Sequence, residues 1–238
     1  TSSCPSSPLS DSDIKCRVEV QYVYLDTAER SKFADGSFEM LIDEVQRLAP
    51  HEGLTGKSQK INMNFNHAVM EVLWMVRQKV NENLGEQFNF AGTVEPLTGM
   101  PQDPVQSVDL RLNNQCRFAQ MEGRYFRLVQ PYMHHTNIPD AFIYSYSFAL
   151  SPENSLQPSG SCNYSRIDNA QLNLTLDSSM FTDNTGVGGL NLSASAASDD
   201  AEDAPAVTGG NSVDIQVIAR NWNILKITLG LAGKSFAN

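Results

Sequence analysis

The chain has 238 residues, of which 41% are hydrophobic and 18% are charged, and its formal net charge is −10. This acidic balance argues against direct contact with nucleic acid, because neutralising phosphates requires clustered Lys and Arg side chains. The length allows one large β-domain or two small domains. No segment approaches the ~18 uninterrupted apolar residues that a membrane-spanning helix requires.

The first 60 residues predict a leader, a strand and a helix. Thr1–Asp13 is rich in Ser, Pro and Asp, which is typical of a leader or linker and not of a signal peptide. Arg17–Leu25 alternates, which predicts a half-buried strand without a nearby partner in the sequence. Apolar residues then recur at helical spacing, so we expect a helix over 37–48 with Ser37 as its N-cap, followed by a glycine-containing loop over 51–60.

From residue 61 onward the pattern is that of short strands separated by long loops, among them 92–106, 152–166 and the acidic, Gly/Ser-rich 178–211. About eight antiparallel strands with such loops favour a jelly roll over a hairpin-only barrel, although the pattern alone does not separate it from other sandwiches. We therefore predict an all-β fold, an eight-stranded antiparallel jelly-roll sandwich over 61–238, after a short connecting strand and helix. The predicted strand segments are Ile61–Phe65, Val69–Val76, Phe88–Val94, Ser107–Asn113, Tyr125–Val129, Phe142–Leu150, Asp168–Asp177, Val213–Ala219 and Trp222–Thr228.

Histidine and cysteine spacing predicts no catalytic or metal site. The histidines lack H-x-H and H-E-x-x-H spacing, and the cysteines lack C-x-x-C spacing, so ordinary histidines and free thiols are expected. Cys162 and His135 could be read as nucleophile and base, but a lone cysteine in a Ser/Gly-rich loop is more often inert. We predict that the chain is not an enzyme and needs no cofactor or metal.

The remaining polar candidates are carboxylates and sequons. A glycosidase would need paired carboxylates, but the candidates show no relationship that indicates a pair, so they are expected on a solvated surface. These candidates are Glu71, Glu95, Asp109 and Glu122. The N-x-[ST] sequons begin at Asn163, Asn173 and Asn191; Asn173 lies inside a predicted strand, which leaves Asn163 and Asn191 as candidate glycosylation sites.

Several long stretches of the chain form linear motifs, among them Tyr22–Arg30 and Phe65–Trp74, which begins Phe-Asn-His-Ala-Val. These stretches resemble the major capsid protein family of the nucleocytoplasmic large DNA viruses. Tyr22–Arg30 resembles the link between that family's two jelly rolls, and Phe65–Trp74 resembles its Phe-Asn-His-Pro-Val motif, with Ala68 where proline is usual. Further matches are Tyr125–Tyr132, Ile143–Leu150, Gln157–Asp168 and Ala219–Ile227. The family-motif residues are Asn66, His67, Trp74, Gln130, Pro131, Tyr132, His135, Pro158, Gly160, Asn163, Arg166 and Asp168.

The resemblance implies a structural protein of the icosahedral shell. It implies two consecutive jelly rolls, of which residues 61–238 would be the second, while 1–60 would hold the last strand of the first and a linker helix. Three copies would form a pseudo-hexagonal capsomer that contacts neighbouring capsomers and minor capsid or cement proteins. The virion would then be assembled in the host cytoplasm, without a membrane span or direct nucleic-acid contact in this chain.

A carbohydrate-binding jelly-roll module is the main alternative, because it would share this fold but not this function. Such a module needs an exposed aromatic platform. Phe142, Tyr144, Tyr146 and Phe148 share one face of a predicted strand and could supply it. The alternation of that strand favours a core position for these rings.

Overall fold

The computed structural model describes residues 17–83, 85–94, 97–181 and 212–236. The predicted loop from 182 to 211 and most of the predicted leader therefore lie outside the described residues. The chain divides into two compact units, one of Thr1–Phe38 with Ile227–Ala232 and one of Glu39–Lys226 with Gly233–Asn238.

The first unit contains the helix α1, Thr27–Asp35. Its N-cap is Asp26, whose carboxylate accepts a hydrogen bond from the Thr27 amide at 2.7 Å. Residues 17–26 form neither strand nor helix here, and Tyr24 is 91% exposed, so the strand predicted over Arg17–Leu25 stays a prediction. An alternating segment becomes a strand only when another strand takes up its backbone groups, and no described strand does so here.

Two antiparallel sheets form the sandwich. The first runs β1-β11-β4-β8, with β2 and β12 also paired to β11 and β9 paired to β4; the second runs β3-β10-β5-β6, with β7 paired to β5. The first sheet comprises β1 (Ser37–Arg47), β2 (His51–Leu54), β4 (Ala68–Gln78), β8 (Ile143–Ser147), β9 (Cys162–Asn163), β11 (Val213–Thr228) and β12 (Leu231–Lys234). The second comprises β3 (Ser58–Asn62), β5 (Val105–Leu112), β6 (Gln115–Cys116), β7 (Met121–Glu122) and β10 (Ala170–Leu176). The predicted all-β, antiparallel sandwich is confirmed.

The core lies between the two sheets and follows their two-residue period. Along β10, Leu172, Leu174 and Leu176 are at most 1% exposed, while the residues between them are half-buried. The opposite sheet contributes Trp74 of β4, which stacks on Tyr144 of β8 with ring centroids 6.0 Å apart. The rings of the predicted aromatic platform thus belong to the core or pack against it, as strand alternation indicated.

The segment predicted as a helix over 37–48 is the strand β1, and the helix lies earlier, in α1. The apolar side chains of this segment fit a helical period by spacing alone. In the structure the half-buried positions are Ile42, Glu44 and Gln46, which alternate with exposed residues. Pairing with β11 decides the conformation, because the tertiary partner overrides the local preference.

The predicted strand Tyr125–Val129 is also wrong, since these residues form a π-helix that continues into α3, Gln130–His134. The amide of Gln130 donates to the carbonyl of Tyr125, five residues back. Pro131 has no amide hydrogen to donate and its ring would clash within a regular α-helix, so the wider turn accommodates it. Phe126 is fully buried and packs on Trp74 at 5.4 Å.

Three smaller differences from the predictions concern pairing. Residues 85–94 form turns, and Val94 makes only an isolated bridge with Pro101 instead of belonging to a strand. The predicted loop 51–60 contains β2 and the start of β3. The two predicted strands 213–219 and 222–228 are one continuous strand, β11, with a register shift between Arg220 and Asn221. The other helices are α2 (Lys79–Asn83) and the 3-10 turns Tyr164–Arg166 and Ser178–Phe181.

Candidate functional site: a buried charged chain at the sheet bulge

A β-bulge interrupts the pairing of β4 with β11. Arg220 pairs with Glu71 and Asn221 with Val69, so Met70 is the extra residue on β4. The carbonyl of Met70 instead accepts hydrogen bonds from the amides of two residues after β8. A bulge turns a side chain away from the regular alternation, and here Met70 and Glu71 both lie outside the main core cluster.

Glu71 is the centre of a chain of alternating charges. The side chain is 1% exposed, and its Oε1 accepts a hydrogen bond from Arg220 at 2.9 Å. Arg220 also donates to Asp43 of β1 at 2.9 Å. Burial alone would lower the pKa of Arg220, but the hydrogen bonds to Asp43 and Glu71 outweigh it and raise the pKa. The chain therefore links β1, β11 and β4 through hydrogen-bonded acidic and basic side chains.

His135 extends the same chain beyond the sheet. Its Nε2 lies 3.0 Å from Oε2 of Glu71, and its Nδ1 lies 3.2 Å from Oε1 of Glu153. The hydrogen bond to Glu71 is the largest of the influences that raise the pKa of His135. Hydrogen bonds from Thr136, with the contact to His135, lower the pKa of Glu153. His135, which lies between two carboxylates, thus holds the end of α3 and the loop that contains Glu153 to the sheet.

An amide cluster fixes β1 beside the bulge. Gln46 donates to the Asn221 side chain at 2.8 Å and to the Asn66 carbonyl at 2.7 Å, and it accepts from the Asn66 amide at 3.0 Å. Asn221 is fully buried. Since buried amides are costly unless their hydrogen bonds are made, this cluster specifies how the strand enters the bulge.

A second, partly buried carboxylate binds the π-helix. Asp103 lies 2.7 Å from Arg127 and 3.3 Å from Arg124, and it accepts from the Tyr144 hydroxyl at 3.2 Å. Arg127 also lies over the Phe142 ring, 4.7 Å from its centroid. These contacts join the π-helix to β8 and to the loop that contains Asp103.

The structure brings some family-motif residues together and leaves others apart. His67, at φ 67°, donates its amide to Ser165 at 2.8 Å, beside Asn163 and Arg166. Gly160 has φ 152°, and a Cβ there would lie 2.6 Å from the Phe148 carbonyl oxygen, which explains the glycine. The other motif residues are the core ring Trp74, the buried Gln130 and Pro131, the half-buried Asn66 and His135, and the exposed Tyr132, Pro158 and Asp168.

The sequons differ in accessibility. Asn163 is exposed, and its side-chain oxygen accepts from the Ser165 amide at 3.1 Å. Asn173 is half-buried in β10, which is paired on both edges, and its amide donates to Asp109. Asn191 lies outside the described residues.

Sequence reasoning missed the charged chain, because Glu71 was expected on a solvated surface and is instead 1% exposed. Its position as the lone charge in the apolar run Val69–Val76 was the signal that could have found it. Arg220 at the step between two predicted strands was a second such signal. Cys162 is a free, half-buried thiol, and burial raises its pKa.

Within the described residues, no group of three or more His, Cys, Asp or Glu side chains is placed to hold a metal ion. In the same part of the chain, no helix combines the length and the apolar character needed to span a membrane. The charged groups of the site bind one another and thereby join secondary-structure elements. The fold therefore defines the class of an all-β sandwich protein, in which these charged side chains connect neighbouring secondary-structure elements.

The chain belongs to the family described as the large eukaryotic DNA virus major capsid protein, whose sequence profile matches residues 29–233. The major capsid protein of Paramecium bursaria Chlorella virus 1 is 34% identical over 243 residues, which cover 93% of this chain and 54% of that protein. The major capsid protein of Pyramimonas orientalis virus is 33% identical over 242 residues, covering 92% of this chain and 48% of that protein.

A solved structure agrees with these relatives. A quasi-atomic model of the PBCV-1 virus capsid superposes with a TM-score of 0.64 at 30% identity, over 91% of this chain and 56% of that chain. The Faustovirus major capsid protein superposes with a TM-score of 0.55 at 14% identity, over 86% of this chain and 36% of that chain, and so supports the fold alone. The chain spans about half the length of the curated relatives it matches.

Proposed function

We propose that this chain is the second half of a subunit that builds the icosahedral capsid of a large DNA virus, as part of a homotrimeric, pseudo-hexagonal capsomer. The observation that supports this most directly is the family match over residues 29–233. In this proposal the protein acts by burial and shape complementarity, and no residue has a catalytic role. It belongs to the virion and is assembled in the host cytoplasm.

The partial coverage of the relatives makes the domain organisation part of this proposal. The predicted boundary lies at residue 61, but β1, β2 and the start of β3 belong to the two sheets, so in this proposal the C-terminal jelly roll of 61–238 is extended back to β1. The residues before β1 hold a leader, the last strand of a preceding jelly roll and the linker helix α1. Val18, Tyr22 and Tyr24 are at least 73% exposed, in a segment with alternating polarity and no described strand partner. Such a segment suits a strand whose neighbours belong to a preceding domain.

Exposed apolar side chains supply surface for association. On α3, Tyr132 is 78% and Met133 61% exposed, and Leu150, after β8, is 73% exposed. Burying such surface stabilises a complex by about 25 cal/mol per Å² before the cost of association. We assign this surface to contacts with other copies, neighbouring capsomers, or minor capsid and cement proteins. The net charge of −10 supports a shell that does not contact the genome through this chain.

The carbohydrate-binding alternative is not favoured, because its aromatic platform is not on the surface. Tyr144 is fully buried, and Phe142, Tyr146 and Phe148 pack against the core cluster. For glycosylation of the chain itself, the exposed Asn163 remains the candidate within the described residues.

Light scattering after size exclusion tests the proposal on two proteins, the 238-residue chain and a version extended by its preceding domain. We expect the extended protein to be a trimer; for the short chain, a trimer would have about three times 26.2 kDa and would show that this half associates alone. Tyr132→Ser with Met133→Ser should weaken association, whereas the exposed Lys60→Gln should not. A monomeric extended protein that binds glycans would contradict the proposal.

A further inference from the structure

An apolar cavity of about 390 Å³ opens beyond the bulge, where β4 begins and β11 continues towards β12. Its lining includes Trp222, Ala68, Leu41 and Phe236. Trp222 is 8% exposed and packs on the buried Met70, so the inner wall is continuous with a small apolar cluster. This volume lies at the lower end of the range of small-molecule sites, ~300–1,000 Å³.

The walls of the cavity are bonded to one another. Ala68 pairs with both Trp222 and Asn163, and the Tyr164 amide donates to the His67 carbonyl at 2.9 Å. On the other side, the Asn223 side chain exchanges hydrogen bonds with the backbone of Phe236, with its amide donating to the carbonyl at 2.9 Å. A cavity framed by main-chain bonds cannot readily collapse, which is the condition for a preformed site.

Most of the polar side chains at the cavity are already hydrogen-bonded within the protein. The side-chain oxygen of Asn163 accepts from the Ser165 amide, and the Ser165 hydroxyl accepts from the His67 amide. Asn223 uses its oxygen and its amide in bonds to the backbone and to Glu44. The side-chain amide of Asn163 and the guanidinium of Arg166 donate no hydrogen bond to any described residue. Arg166 also forms no ion pair with the described residues. The polar head group of a ligand bound beside Asn163 and Arg166 must therefore accept hydrogen bonds. A carboxylate suits Arg166 best, because it can accept two charge-assisted hydrogen bonds from a guanidinium.

We propose that this cavity binds a small amphiphile with an aliphatic body and a carboxylate head, in the chemical class of medium-chain fatty acids. The body lies against Trp222, Ala68 and Phe236, and the carboxylate bonds to Arg166 at the mouth. Neither the shell-building role nor the charged chain around Glu71 requires this site, so the inference stands apart from the proposed function.

Titration of the purified 238-residue chain with sodium octanoate, below its micelle-forming concentration, tests the proposal. Trp222 lines the cavity while Trp74, the other tryptophan, is in the core, so tryptophan fluorescence reports binding. We expect saturable binding of one octanoate per chain. 1-Octanol should bind more weakly, and binding of octyltrimethylammonium should be undetectable. Octanoate that binds no better than octyltrimethylammonium would overturn the proposal.

Three variants separate the head contact from the body contact. Arg166→Gln should lower the affinity for octanoate about tenfold or more, since a hydrogen bond to a charged group is lost. It should leave the affinity for 1-octanol unchanged. Lys60→Gln removes an exposed cation on the other sheet and should change the affinity for neither ligand. Ala68→Leu should fill the cavity and abolish both, with circular dichroism showing that the fold is retained. Equal octanoate affinities for Arg166→Gln and Lys60→Gln would refute the assignment of the head.

Discussion

His135 Nε2 lies 3.0 Å from Glu71 Oε2, and this contact joins the end of α3 to a carboxylate that is 1% exposed. The histidine replaces the hydration that Glu71 loses on burial, and Arg220 does the same from the other side. A buried carboxylate between two cationic groups ties elements together, because removing either partner leaves an uncompensated charge.

The first prediction concerns pH. The pKa of His135 in the folded protein is raised above the unfolded value of 6.5, chiefly by Glu71. Its stabilising contribution should be fully present below about pH 6.5 and should be lost as the pH rises through the raised folded pKa. The free energy of unfolding in urea, measured at a series of pH values, should therefore fall over this interval in the wild type.

The matched comparison uses neighbouring histidines. In His135→Gln the fall in unfolding free energy over that interval should be absent, whereas His134→Gln should keep it, since His134 Nδ1 bonds to the Leu150 carbonyl and forms no ion pair with the described residues. A His135→Gln protein with the same pH dependence as the wild type would show that the histidine does not gain protons on folding.

The second prediction is that Glu71→Gln destabilises the fold by about 3 kcal/mol. Removing one partner of a buried ion pair costs about 3–5 kcal/mol, and the lower end applies because Arg220 keeps Asp43 and His135 keeps Glu153. Glu39→Gln serves as the control, because the pair of Glu39 with Lys226 is about half exposed on both sides and such pairs contribute about 0–1 kcal/mol. Urea unfolding that finds equal effects would show Glu71 to be energetically unimportant.

The third prediction is that Gly160→Ala destabilises the protein by about 1–3 kcal/mol. The backbone there has φ 152°, and the new Cβ would meet the Phe148 carbonyl oxygen at 2.6 Å. Gly233→Ala adds the same methyl group where no atom lies within 4 Å, and it should change stability by about 0.5 kcal/mol or less. Thermal unfolding of both variants makes the comparison; a neutral Gly160→Ala would contradict the geometry.

The fourth prediction concerns the amide cluster. Asn221→Ala should cost about 1–3 kcal/mol, because the fully buried side chain accepts from Gln46 and donates to the Trp222 carbonyl. The exposed Asn62→Ala should be close to neutral. A double-mutant cycle with Gln46→Ala should give a non-zero coupling energy, and simple additivity of the two unfolding free energies would exclude a direct bond.

Much of the sandwich could be predicted from the sequence, because burial in a strand depends on a local two-residue period. Val69–Val76, Ser107–Asn113 and Asp168–Asp177 were each predicted within a few residues of β4, β5 and β10. The family resemblance likewise rests on linear motifs, which the sequence displays directly. The candidate site was predicted only in part: His135 was named for its motif, and its carboxylate partners were not.

The tertiary structure decided which apolar periods became strands and which charges became buried. The segment 37–47 is a strand because β11 offers it backbone partners, whereas Tyr125–Val129 forms a π-helix that leads into α3 instead of the predicted strand. Glu71 meets Arg220, 149 residues away, only through the pairing of β4 with β11. Composition, local period and motifs are properties of the chain, whereas ion pairs and strand partners depend on distances that exist only after folding.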